Sequence, residues 1–264
     1  MSVNDGHYSF KVYNYFMTIN FRINQDYLIA HTLISCKEHD FSSEEHKKDI
    51  VAFQDHAWEL SKDLYNLIPE RTDAETILRI GDFEKYTKMV GQLDDYVNKL
   101  KQSKEFKVIL EQTEKYRQFC EREWGSNYGR ISKIIQELTQ FNLDKQVAVF
   151  ITHPSQRNGR SIGLDKIAWG HTEDWPNYTV VYLWHEILHK YMDNTDLNHA
   201  LIELITDYEL RRQLGGPDYP PFTTGHERLQ KTEEILLPHW KRYLSSKNKN
   251  FTNFQEKVEK LTDL

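Results

Sequence analysis

Residues 185–189, His185-Glu186-Ile187-Leu188-His189, place two imidazoles four positions apart, with a carboxylate directly after the first. On a helix, positions i and i+4 share a face about one turn (~6 Å) apart, so two rings at that spacing can converge on one cation. Glu186 projects to the side of that face, where it reaches a water activated by the metal rather than the metal itself. Imidazoles that hold Zn2+ and a carboxylate that takes the proton from its water are the division of labour in zinc-dependent hydrolysis. The pattern has this meaning only on a helix. Val180, Val181, Trp184, Ile187, Leu188 and Tyr191 supply the apolar surround expected of a buried one.

A catalytic zinc site needs a third protein ligand and an open position. The next helical run carries Glu203 and Asp207, four residues apart. If the two helices form an antiparallel hairpin that reflects about Thr195, position 203 mirrors the midpoint of the two histidines and position 207 mirrors 183. Glu203 is then the favoured third ligand. Asp207 is placed to accept a hydrogen bond from the outer nitrogen of His185. His199 is the rival ligand, as are Asp207 itself and the turn residues Asp193 and Asp196, which read better as helix end and N-cap. A group that stabilises the developing oxyanion is also expected. Tyr208, Tyr219, His226 and His239 qualify, and His226, after a loop rich in Gly and Pro, is favoured. The other histidines of the 12 in the chain lack a pairing pattern and read as surface or satisfied polar groups.

His185-Glu186-Ile187-Leu188-His189 followed by Glu203-Leu204-Ile205-Thr206-Asp207 resembles the gluzincin group of zinc metallopeptidases, which includes thermolysin-like and aminopeptidase-like enzymes. The resemblance implies that His185, His189 and Glu203 bind zinc, that Glu186 is the general base and that Asp207 orients His185. It also implies that a strand upstream of the active-site helix pairs with an extended peptide or protein substrate, for which Ser161–Gly170 is the candidate. The covered stretch is about 30 residues, and the interval from His189 to Glu203 is shorter than in the best-known members. The HExxHxxGxxH pattern of the metzincins is absent. A site closed by four protein ligands, for instance with His199 as a fourth, would instead mark a non-catalytic or regulatory zinc-binding module. Hydrolysis of a non-peptide amide would use the same residues.

The elements that must position this site read as follows. Residues 13–24 alternate as a half-buried strand, and Tyr27–Cys36 is apolar but ambiguous. A helical layer follows. Ser42 and Glu45 form a capping box for a helix stopped by Pro69, and Thr72 with Glu75 opens a second helix. A third runs from Phe83 to Leu100, a fourth from Ser103 to about Gly125, and a fifth spans Ile131–Leu138. Gln146–His153 and Ser161–Trp169 read as strands of a hairpin turning at Asn158-Gly159. Helices then run from Pro176 to about Met192, from Asn198 to Leu214, from Glu227 to Leu237 with Pro238 breaking or bending it, and from Phe251 to Leu261. The expected fold is α+β, mostly helical and zincin-like, with a small, mainly antiparallel sheet beside the active-site helix pair. Residues 1–145 form the N-terminal strand and helical region, and 146–264 the catalytic region, the two sharing an interface.

With 34 Lys+Arg against 40 Asp+Glu, the chain has no basic excess to neutralise a phosphate backbone, which argues against nucleic acid as a partner. Aromatic residues at 13% argue against disorder. Cys36 and Cys120 make neither a metal spacing nor a disulfide framework. No apolar run reaches the roughly 18 residues of a membrane span, and Met1–Gly6 does not resemble a signal peptide, so a soluble, cytoplasmic protein without membrane contact is expected.

Overall fold

The computed structural model describes residues 17–34, 44–71, 92–162, 165–215 and 226–262. They form a mostly helical α+β fold around one four-stranded sheet. The strands are β1 (Thr18–Arg22), β2 (Gln146–Ile151), β3 (Asn158–Ile162) and β4 (Lys166–Gly170), in the order β1-β2-β4-β3. The β1–β2 and β2–β4 pairings are parallel, and only β3–β4 is antiparallel. The sheet is therefore mixed, not mainly antiparallel. After β2, residues 152–157 carry the chain past the neighbouring position to the sheet edge. There β3 runs back, and β4 fills the gap beside β2.

This path also moves Asn158-Gly159 out of the expected turn and into the start of β3, and the reversal falls between Ile162 and Lys166 instead. Gly159 is needed for close approach: a Cβ there would lie 3.2 Å from the Trp169 ring and 4.0 Å from Glu186 Oε1. The stretch Ser161–Gly170, expected to pair with substrate, is thereby divided. Its β4 part is interior, and the sheet edge on this side is β3. Gly159→Val is expected to lower stability by about 1–3 kcal/mol, the usual cost of overpacking, while leaving the helical content intact. Urea unfolding followed by circular dichroism measures both.

The helices are α1 (Gln25–Ile34), α2 (Lys47–Leu60), α3 (Lys62–Arg71), α4 (Gln92–Gln102), α5 (Lys104–Thr139), α6 (Tyr178–Leu188), α7 (Asp196–Glu203), α8 (Arg211–Gly215), α9 (Gln230–Leu244) and α10 (Phe251–Thr262). A π-helical segment, Leu204–Leu210, joins α7 to α8, and a 3-10 turn, Glu227–Leu229, precedes α9. The expected strand is described only from residue 17, and Ser42, Thr72, Glu75 and Phe83 lie outside the described residues. The ambiguous apolar run is helical, as α1. The helix expected to run on to Pro69 is broken at Ser61, whose extended backbone and hydroxyl, accepting from Leu64 N, start α3, and α3 continues through Pro69. Ser103 does cap α5, accepting from Phe106 N at 3.1 Å.

The expected fourth and fifth helices are one helix, α5, of 36 residues. Gly125 costs such a helix only about 1 kcal/mol. Burial of Trp124, Ile131 and Ile135 on its inner face outweighs that. Pro238 likewise stays inside α9, whose Leu236, Trp240 and Tyr243 are buried.

Two apolar cores flank the sheet. Phe53, Val97, Phe106 and Ile109 pack with Ile162 and Ala168 on one side. On the other, Val149, Ile151, Ile167 and Trp169 meet the rest of α5, with α6 and α7. The long helix α5 belongs to both cores, and its Trp124 and Tyr128 stack on Trp184 of α6, with centroids 5.2 and 6.2 Å apart. That contact fixes the helix carrying the histidines. Among the described residues, no helix is long and apolar enough to cross a membrane.

His153 sits beside the smaller core, fully buried. Its Nε2 meets Gln112 Oε1 at 2.9 Å, and its Nδ1 accepts from Ser155 N at 3.2 Å. A second ring proton would face the Ser155 N–H. Burial, with His46 adding to it, lowers the His153 pKa to about 3. The unfolded chain therefore binds a proton that the folded one refuses between about pH 6.5 and 3, and stability falls as pH drops through that window. At about pH 5 the loss from this one group is about 2 kcal/mol. Urea midpoints compared at neutral pH and about pH 5 should show it, and His153→Gln should flatten that part of the dependence.

Candidate metal centre

The helix α6 is buried on most sides: Val180, Val181, Leu183, Trp184, Ile187 and Leu188 all pack inward. Tyr178, Tyr182 and Glu186, spaced four apart, form its remaining half-exposed stripe and line a cleft of about 480 Å³. Gly159 and Trp169 line the same cleft from the sheet. The helix ends sooner than the sequence suggests, with His189 as its C-cap. The chain then turns, and Thr195 caps α7 by accepting from Asn198 N at 3.2 Å. The π-helical turns that follow hold Thr206 and Asp207. Such turns are rare and recur at functional sites.

Four histidines gather here. His185 and His189 have centroids 5.1 Å apart, His189 and His199 4.7 Å, and His199 and His226 4.5 Å. His185 Nε2 lies 3.2 Å from His199 Nε2. One donor atom each of His185, His199 and His226 lie within 4.8 Å of one another, so these three histidines could hold a metal ion. His185 and His199 are buried, whereas His226 is exposed. Burial, reinforced by the neighbouring imidazoles, pushes His185 well below the ordinary histidine value and His199 to about 3. Burial, with Lys190 adding to it, lowers His189 to about 4. All three rings are neutral near pH 7 and carry the lone pair that ligation needs.

The carboxylates surround this group. Asp207 Oδ2 lies 3.9 Å from His185 Nδ1, and Thr206 Oγ1 is 3.5 Å from the same nitrogen. Glu203 Oε1 lies 3.7 Å from His199 Nε2 and accepts the His226 N–H at 3.1 Å. Burial and the facing Glu233 raise Glu203 to about 8. Burial raises Asp207 to about 7, against the Tyr182 hydroxyl, with Glu203 adding to the rise and Arg211 opposing it. These buried carboxyls are poorly satisfied: Asp207 meets the Tyr182 hydroxyl, and Glu203 faces another buried carboxyl, Glu233. A cation among the histidines would offset the cost of burying them. The donor set therefore suits a metal of the kind imidazole binds.

Glu186 points to the sheet side. Burial raises its pKa to about 7, offset by Lys190, the Ser161 N–H and Arg160. The structure thus brings His185, Glu186, His189, His199, Glu203, Asp207 and His226 into one region. It gathers His199 and His226, not the expected His189 and Glu203, with His185 in the close three-donor group. Asp193 and Asp196 are exposed, and Asp196 pairs with Arg228 at 2.9 Å. Tyr208 is buried under Arg212, His239 lies on α9 beside Arg242, and neither lines the cleft. Tyr219 lies outside the described residues. Sequence reasoning passed over Tyr178 and Tyr182, although their spacing to Glu186 was a readable signal. It also passed over Glu233, for which no local signal exists.

No protein-family model matches the chain, and no curated protein or solved structure does so either. The likeness to gluzincins rests on the motif residues alone.

Proposed function

We propose that the protein is a zinc-dependent metallopeptidase in which His185, His189 and His199 hold the ion and Glu186 is the general base. The observation that carries this reading is the 3.2 Å separation of His185 Nε2 and His199 Nε2 beside a cleft that contains Glu186. Two imidazole nitrogens ~2.0–2.1 Å from one tetrahedral ion are about 3.3 Å apart. His199 therefore replaces Glu203 as the third ligand, and Glu203 holds the His226 backbone in place.

Held by these histidines, zinc would supply the Lewis acidity that activates a carbonyl and a water for hydrolysis. The side chains do the rest. Glu186 takes the proton of the attacking water and returns it to the leaving amine. Asp207, with Thr206, fixes the His185 ring from its outer nitrogen. The β3 edge offers backbone groups to an extended peptide beside Glu186. His226, exposed on the cleft side, donates to the oxyanion.

The place of His226 in the three-donor group favours one second reading, a closed four-histidine site in a non-catalytic or regulatory zinc module. A quenched-peptide library incubated with zinc-loaded, chelated and zinc-restored protein separates the two. The peptidase reading expects hydrolysis that is lost on chelation and recovered with zinc. Stoichiometric zinc with no hydrolysis of any peptide favours the closed site. His226→Ala adds an independent arm: the peptidase loses turnover and keeps zinc, whereas the closed site loses zinc affinity.

A further inference from the structure

We infer that the cleft takes a substrate carrying a carboxylate close to the bond cleaved, read by Arg157. This rests on the peptidase reading above and names its substrate class.

Arg157 and Arg160, both exposed, stand on the rim of the cleft, on either side of Gly159, which with the Ser161 N–H brings β3 up to Glu186. The acidic residues lining the cleft, Glu186, Glu203 and Asp207, are buried or half-buried, whereas its exposed lining on the β3 side carries two cations; Asp174 stands at the opposite end, 4.0 Å from His171 Nδ1. That contrasts with a chain whose formal net charge is -6. Arg157 makes no ion pair among the described residues, and its charge reaches the His171 ring and the Tyr178 hydroxyl at the far end of the aromatic wall, where it opposes the larger effect of Asp174.

The base of Arg157 is rigid. Gln156 and Asn158 on either side are buried. Asn158 Nδ2 donates to the Tyr27 hydroxyl at 3.0 Å and to Thr152 Oγ1 at 3.1 Å. The Arg157 backbone also hydrogen-bonds the buried His31. A guanidinium projecting from a fixed strand start beside a cleft is pre-organised for a carboxylate, which it grips with two parallel N–H bonds. With ~3.3 Å per extended residue, Arg157 lies about two to four residues along β3 from the stretch that meets Glu186, Gly159 to Ser161. The carboxylate is therefore expected about two to four residues from the scissile bond, on one side only. The Tyr178 and Tyr182 rings flank the residues between.

The carboxylate can be an Asp or Glu side chain or the peptide's C-terminus, and the test separates these. Zinc-loaded protein is given matched peptides with Glu or Gln scanned along the chain, each ending in a free acid or an amide. A preference of about tenfold in kcat/KM for the charged member of one matched pair is expected, weakening with added salt. Arg157→Ala should remove the preference and leave hydrolysis of the uncharged peptide unchanged, and Arg157→Lys should retain part of it. Charged and uncharged peptides cleaved equally, or a preference that survives Arg157→Ala, overturns the inference. Fluorescence anisotropy of the same labelled peptides on zinc-loaded Glu186→Gln protein tests recognition apart from turnover. A charge preference there that depends on Arg157 sustains the inference even if no peptide is hydrolysed, whereas absence of such binding overturns it.

Discussion

If the protein is a zinc peptidase, Glu186→Gln is expected to keep zinc affinity and to slow peptide hydrolysis by a factor on the order of 10²–10⁴, the contribution of a general base. The substitution is isosteric. It leaves the Ser161 N–H an oxygen to donate to. Folding should therefore be little changed, which a thermal unfolding scan checks. Burial raises the proton affinity of the parent carboxylate, against the opposing charges of Lys190 and Arg160, to a level matched to taking a proton near neutral pH. An amide in its place accepts no proton. Undiminished turnover in this variant would remove Glu186 from the mechanism.

On the same reading, His199→Ala is expected to lower zinc affinity at least 100-fold, and Glu203→Ala to change it by less. Loss of a group that only orients a ligand already costs about 10–100-fold in metal affinity, and loss of a ligand costs no less. His199 Nε2 stands 3.2 Å from His185 Nε2, whereas Glu203 is engaged with the His226 N–H and faces Glu233. Glu203→Ala should instead loosen His226 and reduce turnover more than zinc binding. Competition titration with a chromophoric zinc chelator measures both variants. The reverse order of affinities would restore Glu203 as the third ligand, as the gluzincin likeness implies.

The motif helix was legible because its periodicity and its apolar surround agree: seven of the side chains of α6 are fully buried, and the sequence run shows it. The helix hairpin was legible through Thr195, which caps α7 at the expected reflection point. Reflection about that residue places Asp207 by His185 and Glu203 level with the two motif histidines, but it does not resolve which of two side chains on one helix face ends nearer the shared point. His199 and Glu203 are four apart on α7 and point the same way, so only tertiary packing separates them. The sheet was misread for a different reason. Asn158-Gly159 is a turn signal in isolation, and the Trp169 ring that demands a glycine there comes from another strand. The parallel β1–β2 pair joins residues more than 100 positions apart, a separation that no local pattern carries. The continuity of α5 through Gly125 likewise depends on Trp184 stacking from α6.

Zinc K-edge X-ray absorption on purified, zinc-loaded protein tests the histidine centre most directly. It should show one tightly held zinc per chain with three or four imidazole nitrogens at ~2.0–2.1 Å, and His199→Ala should lose one of them. A protein that retains no zinc after dialysis, or a zinc shell whose imidazole count is unchanged in His199→Ala, would contradict it.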